Sequence, residues 1–223
     1  MVRCGVLGIM ESMRYISCVL MAVFLCGCAS FRPGQKVSSS DVKKAFLCST
    51  AAPYARLNVV WRESPPVSSS DELNTDSFEV KRVFREVNPR DLADFRKRAE
   101  KIFSSCGLYS PTKGAGTLTL TLDSLDRWTY SQLMRGFLTD TPYVFIMPSA
   151  LYTSHSLKVE YSGANGRGSF DKTGTVRTYF HLILAPLYPF CTPTLKESGT
   201  LDYLLNASAK QLLLMSRNPL CAR

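Results

Sequence analysis

Thr117, Leu118, Thr119, Leu120, Thr121 and Leu122 alternate polar and apolar side chains without a fault. A strand turns successive side chains to opposite faces, so the three leucines share one face and the three threonines the other. That is the pattern of a strand buried on one side only. Such a sheet needs a cover for its apolar face, and the flanking sequence is expected to supply helices. Just beyond, the phase slips at Ser124 and Leu125, which reads as a bulge before Trp128.

Towards the N-terminus, Asn88 and Pro89 open a helix, with Asn as N-cap, Pro in the first turn and Asp91 near the positive dipole end. Leu92, Phe95, Ala99, Ile102 and Cys106 fall three or four apart and form one buried stripe, and Gly107 stops the helix. Arg96, Lys97, Arg98 and Lys101 lie largely off that stripe, as a solvated face. Further back, residues 54–62 alternate as a strand, residues 64–77 are a serine- and proline-bearing loop, and residues 78–87 suit either a strand or a frayed helix.

On the C-terminal side, residues 151–161 read as a strand, with Leu157, Val159 and Tyr161 facing one way and Lys158 and Glu160 the other. The glycine-rich residues 163–168 form a hairpin turn, and residues 169–180 return from it. A helix over residues 198–215 follows, with Leu201, Leu204, Leu205, Leu212 and Met215 on one face and Asn218 and Pro219 ending it. The expected fold is α+β: an antiparallel sheet of about four strands with two helices on one face, in the order β-α-β-β-β-α.

The chain has 223 residues, 45% hydrophobic and 20% charged, which suits one globular domain and excludes wholesale disorder or a multi-span membrane protein. Its eight cysteines and formal charge of +9 are less ordinary. The N-terminus accounts for part of both. Met13 and Arg14 make a basic start, residues 16–25 are almost unbroken apolar, and Leu25, Cys26, Gly27 and Cys28 follow. A run this short, closed by small residues, reads as an export signal and not as a spanning helix. Residues 1–12 look like an upstream extension.

The Leu25, Cys26, Gly27, Cys28 ending resembles the lipobox of bacterial lipoproteins. By that resemblance residues 1–27 are a signal peptide and Cys28 is the acylated first residue of the mature chain. A plain secretory signal or an uncleaved anchor is the alternative. Several acyl chains, at ~0.8 kcal/mol per buried methylene, hold a protein on a membrane for its working life. Ala29 and Ser30 lack the aspartate that retains enteric lipoproteins at the inner membrane, so the resemblance implies the outer membrane, facing the periplasm. The order of elements is also similar to that of lipopolysaccharide-assembly and transporter-auxiliary envelope lipoproteins, in architecture only.

With residues 1–27 removed, Arg3, Arg14 and Glu11 go, leaving 25 basic and 17 acidic residues and a charge of +8. Cys48, Cys106, Cys191 and Cys221 remain beside Cys28, and in an exported chain four thiols fit two disulfides of undetermined pairing or free structural thiols. No pair has metal-ligand spacing, and the only histidines are His155 and His181. Residues 28–50 read as a tether with a reach of about 20 Å across residues 29–41, and residues 51–223 as the single domain.

Two apolar stretches carry the functional expectation. Phe137 and Leu138 with residues 143–148 precede the strand at 151, and residues 179–190 follow the strand that ends at 180. If 151–180 is one hairpin, both stretches leave the sheet at the same end. They are either core or an exposed tip that meets a membrane interface or a membrane protein. The candidate contacts are Phe137, Leu138, Tyr143, Phe145, Ile146, Tyr179, Phe180, Leu184, Tyr188 and Phe190, with Arg135, Arg177 and Lys196 nearby for lipid phosphates or an acidic partner.

No motif adds convincing chemistry. Asp171, Lys172, Thr173, Gly174 and Thr175 match the phosphorylation sequence of P-type ATPases, but the nucleotide and transport domains that chemistry needs are missing. The glycine-rich turn joins two strands and lacks the strand-to-helix setting of a phosphate loop. Neither histidine has a nucleophile or carboxylate that the sequence can place beside it. Basic residues lack the aromatic interleaving of nucleic-acid platforms. The expected function is therefore a non-catalytic envelope accessory or binding module without cofactor, partnered by membrane lipid through Cys28 and by an envelope membrane protein or lipid ligand. A lipid-binding or transport-auxiliary module and an envelope enzyme are the alternatives.

Overall fold

A computed structural model of the chain describes residues 28–31, 37, 39–47, 49, 51–64, 84–128, 149–164, 166–180 and 191–216. In chain order the elements are β1 (Cys28–Phe31), α1 (Ser39–Leu47), β2 (Arg56–Ser64), β3 (Arg85–Glu86), α2 (Pro89–Ser105), β4 (Thr117–Leu125), β5 (Ser149–Gly163), β6 (Gly166–Phe180) and α3 (Pro193–Met215). The strands form one sheet in the order β1-β6-β5-β4-β2-β3.

The threonine–leucine strand behaves as its alternation demands. Leu118, Leu120 and Leu122 are fully buried, and the threonines between them stay part-exposed on the other face. The helices cover the leucine face. Phe95, Ala99 and Phe103 of α2 and Leu204, Leu205 and Leu213 of α3 join Leu57, Trp61, Leu157 and Val159 in one core, and Val42 brings α1 into it. Gly174 of β6 lets α3 approach closely, because a Cβ there would stand 2.8 Å from the Thr200 methyl. Gly107, at φ +66°, ends α2 in a left-handed conformation with the Phe46 ring pressed against it.

The α+β class holds, but the sheet is not an antiparallel array of about four strands under two helices. Six strands and three helices are present among the described residues, and the sheet is mixed, because β2 and β4 pair in parallel from Arg56 opposite Thr117 to Ser64 opposite Leu125. A parallel pair requires a crossover, and α2 supplies it. Residues 28–50, expected as a tether, contribute two of the extra elements: β1 pairs antiparallel with β6, and α1 buries Val42. β3 is a two-residue edge that pairs Arg62 with Glu86 and Glu63 with Arg85, within the stretch where strand and helix competed in the sequence.

Other boundaries move for local reasons. No bulge breaks β4 at Ser124: burial alternates through it, and the strand stops at Asp126, which has φ 54°. α3 starts at Pro193, five residues before its expected beginning, because the Thr192 side chain accepts a hydrogen bond from the Leu195 N–H (3.3 Å) and Pro193 occupies the first turn. Asn88 caps α2 as expected, its Oδ1 accepting from the Arg90 N–H at 3.0 Å.

Candidate functional site

The register of the sheet brings together one end of the molecule. Cys28 lies opposite Phe180, and Phe180 lies opposite Ser149 on its other side. The chain therefore enters β5 and leaves β6 in the same row that holds Cys28. Residue 191 re-enters beside the same edge, where its carbonyl accepts a hydrogen bond from the Ser30 N–H at 2.8 Å. Residue 149, which follows one apolar stretch in the chain, and residue 180, which lies in the other, are paired at this end. The closed hairpin, with Gly163 opposite Gly166, marks the far end.

Ser30 and Thr178 point into the helix side of this end and share a 2.8 Å hydroxyl–hydroxyl hydrogen bond. Their strand neighbours point the other way by the alternation rule. Phe31, Arg177 and Tyr152 are register partners across β1, β6 and β5, and Tyr179 lies two rows closer to Cys28, on the same face. The Arg177 guanidinium sits 5.4 Å from the Tyr152 ring centroid, and the Phe31 and Tyr179 rings meet edge-on at 5.9 Å. Phe31 and Tyr152 are 41% and 49% exposed.

Beneath the helices at the same end lies a part-buried polar network. Arg127 follows β4 and spends its guanidinium on three carboxylates: Nε to Glu197 at 2.7 Å, Nη1 to Glu63 at 2.6 Å and Nη2 to Asp91 at 2.8 Å. Its charged end also covers the Trp61 ring at 4.7 Å. Burial works against this charge, but Glu197, Asp91 and Glu63 outweigh it, so the guanidinium holds its proton more firmly than usual. One side chain thus ties together the end of β2, the first turn of α2, the N-terminal part of α3 and the end of β4.

The Trp61 indole N–H donates to Ser124 Oγ at 2.8 Å, and Ser124 Oγ lies 2.8 Å from His155 Nδ1. Ser124 Oγ has two acceptor lone pairs, so beside Trp61 it either donates to Nδ1 or accepts from it, as the imidazole tautomer dictates; the second ring nitrogen is Nε2. That Nε2 has no protein partner among the described residues. His155 lines a cavity of about 30 Å³ with Arg127, Thr153, Thr178 and Glu197. Burial, and secondarily the Arg127 charge, pull the imidazole pKa down from 6.5 to about 4. A Ser–His pair invites a hydrolytic reading, but Ser124 is fully buried and held by Trp61 inside the core.

A second cavity of about 160 Å³ opens between α2 and α3, lined by Asp91, Asp94, Arg98, Arg127, Glu197 and Ser198 among others. Arg98 bridges the two helices, with Nη1 on Ser198 Oγ and 3.5 Å from Asp202. Arg96 pairs loosely with Glu100 at 3.8 Å, in keeping with the solvated face expected there. Asp171 lies exposed on β6 opposite Lys158, so the ATPase-like stretch is ordinary strand.

Of the residues singled out in the sequence, Cys28 and Phe180 are in the paired row and Tyr179 stands beside it. Phe137, Leu138, Tyr143, Phe145, Ile146, Leu184, Tyr188, Phe190, His181, Cys48 and Cys221 lie outside the described residues. Cys106 and Cys191 are free thiols, so no disulfide joins the two described candidates. Cys106 is buried at the end of α2, and burial pushes its thiol pKa up. No group of three His, Cys, Asp or Glu able to hold a metal occurs among the described residues, and no described helix is long and apolar enough to cross a membrane. Arg127, Phe31 and Tyr152 were not singled out. The sequence signal for the first is only its position just past a strand, and for the others only an aromatic in phase with the polar face. The chain matches no family model, no curated protein and no solved structure.

Proposed function

We propose that the protein is a lipid-anchored, non-catalytic accessory or binding module of a bacterial envelope, held through acylated Cys28 and facing the periplasm from the outer membrane. It uses one end of its sheet to contact the membrane or a membrane protein. The observation that supports this most directly is the row Cys28, Phe180, Ser149. The residue that would carry the acyl chains and the points where both apolar segments join the sheet lie side by side. A net charge of +8 on the mature chain suits anionic envelope components.

The reading of a lipid-binding groove gains no support from the cleft between α2 and α3. At about 160 Å³ and lined by charges, that cleft is smaller and more polar than the ~300–1,000 Å³ apolar sites that small molecules use. Photo-cross-linkers at Phe145 and Leu184 in intact cells test the proposal. Adducts with lipid or with a second protein are expected; cross-links only to the protein's own core would contradict it.

A further inference from the structure

We infer that Phe31, Tyr152, Arg177 and Tyr179 form a lipid-headgroup surface, on which the open face of the sheet at the β1 edge rests against anionic phosphates of the anchoring leaflet. This rests on the anchored reading above and adds to it an orientation and a ligand. Three observations carry it. First, Cys28 is itself a strand residue, paired with Phe180, so no slack chain separates the acylation site from the sheet. A domain joined this way sits on the membrane and does not sample the volume a flexible tether would allow.

Second, the distances match. The row of Phe31, Arg177 and Tyr152 is three residues from Cys28 along the strand, about 10 Å at ~3.4 Å per residue. A leaflet's headgroup zone is about 5–8 Å deep. With the acyl chains of Cys28 in the hydrocarbon, Tyr179, one residue along, falls within that zone, and the Arg177 backbone stands a few ångströms beyond it, a gap that a long arginine side chain can span.

Third, the chemistry fits phosphate. Arg177 is exposed, pairs with no carboxylate among the described residues and lies over the Tyr152 ring, so its N–H donors are available to a phosphate. Aromatic rings exposed around one arginine are the composition of a membrane–water interface, where apolar ring bodies bury and polar edges stay wet. Elsewhere on that face hydroxyls such as Thr119, Thr121 and Ser156 stand among charges that are already paired, Lys158 with Glu160 and Arg62 with Asp123. Arg62 also lies over a ring, that of Phe84 at 5.3 Å, but its guanidinium is committed to Asp123.

Hydroxyl-radical footprinting tests this on the acylated chain reconstituted in phosphatidylcholine vesicles with phosphatidylglycerol. Val60 and Phe84, which have similar exposure on the opposite edge of the sheet, serve as internal references. After correction for intrinsic reactivity, Phe31, Tyr152 and Tyr179 are expected to be oxidised several-fold less than the references, and R177E is expected to restore most of that oxidation. Oxidation of Phe31 and Tyr152 equal to that of the references would overturn the inference, as would protection seen only in native membranes, which would assign the surface to a protein partner. The mass of the N-terminal peptide separates the two layers. An acyl group on Cys28 with unprotected rings removes only this surface, whereas an unacylated Cys28 removes the anchor as well.

Discussion

At Arg127 one guanidinium faces Glu63, Asp91 and Glu197 and covers the Trp61 ring. Removing it leaves three carboxylates near one another with no cation between them. Arg127→Met is therefore expected to destabilise the fold by about 2–3 kcal/mol, below the full cost of breaking a buried pair because Asp91 is partly exposed. Urea denaturation at neutral pH measures it; a loss under about 0.5 kcal/mol would show that the cluster relaxes into water. His155 makes a pH-dependent contribution. Its folded pKa lies below its unfolded one, so the unfolded chain binds the proton first. Stability from this group is complete above about pH 6.5 and is lost as pH falls towards about 4. The span corresponds to about 3 kcal/mol. Denaturation across that range should show a decline that His155→Gln flattens, and equal slopes in the two proteins would remove His155 as the cause. The sequence could place no nucleophile or carboxylate beside His155, and the structure sets the Ser124 hydroxyl there. The sequence misread Ser124 as a slip in phase, because a hydroxyl at a core position makes sense only with Trp61 and His155 beside it. Those partners come from other strands, and spacing along the chain does not reveal them. Arg127 was invisible for the same reason.

At the scale of elements, what periodicity could specify was legible: β4, the hairpin of β5 and β6, and the capped start of α2. Each owes its form to local alternation, turn glycines or a cap. The parallel pairing of β2 with β4 was not legible, since it depends on α2 returning the chain to the starting end of the sheet. β1 escaped because four residues carry no period. Its stability comes from pairing with β6 and from the Ser30–Thr178 hydrogen bond. The early start of α3 was encoded in Thr192 and Pro193, whose cap signal lay ahead of the leucine stripe. Thr192→Ala is expected to cost about 1 kcal/mol. Amide exchange should then rise in the first turn of α3 while the exchange of its middle, around Leu204, stays slow. Uniform loosening of the helix would show that the cap acts globally and not on that turn.

Across the whole molecule, a sheet covered by helices on one side ends in a row where Cys28, Phe180 and Ser149 stand together. The sequence implied that the two apolar segments share an end of the sheet, because a hairpin's outer ends always do. It did not imply that Cys28, the proposed acylation site, belongs to the same row, since residues 28–50 read as tether on their serines, proline and glycine. The account of this protein as an envelope module rests on Cys28 carrying lipid. Growth of bacteria expressing the full chain with radiolabelled palmitate, followed by recovery of the protein, tests that most directly. Label is expected in the wild-type chain and absent from Cys28→Ser, which should accumulate as the longer, unprocessed form. Label retained after Cys28→Ser, or absent from the wild type, would contradict the account.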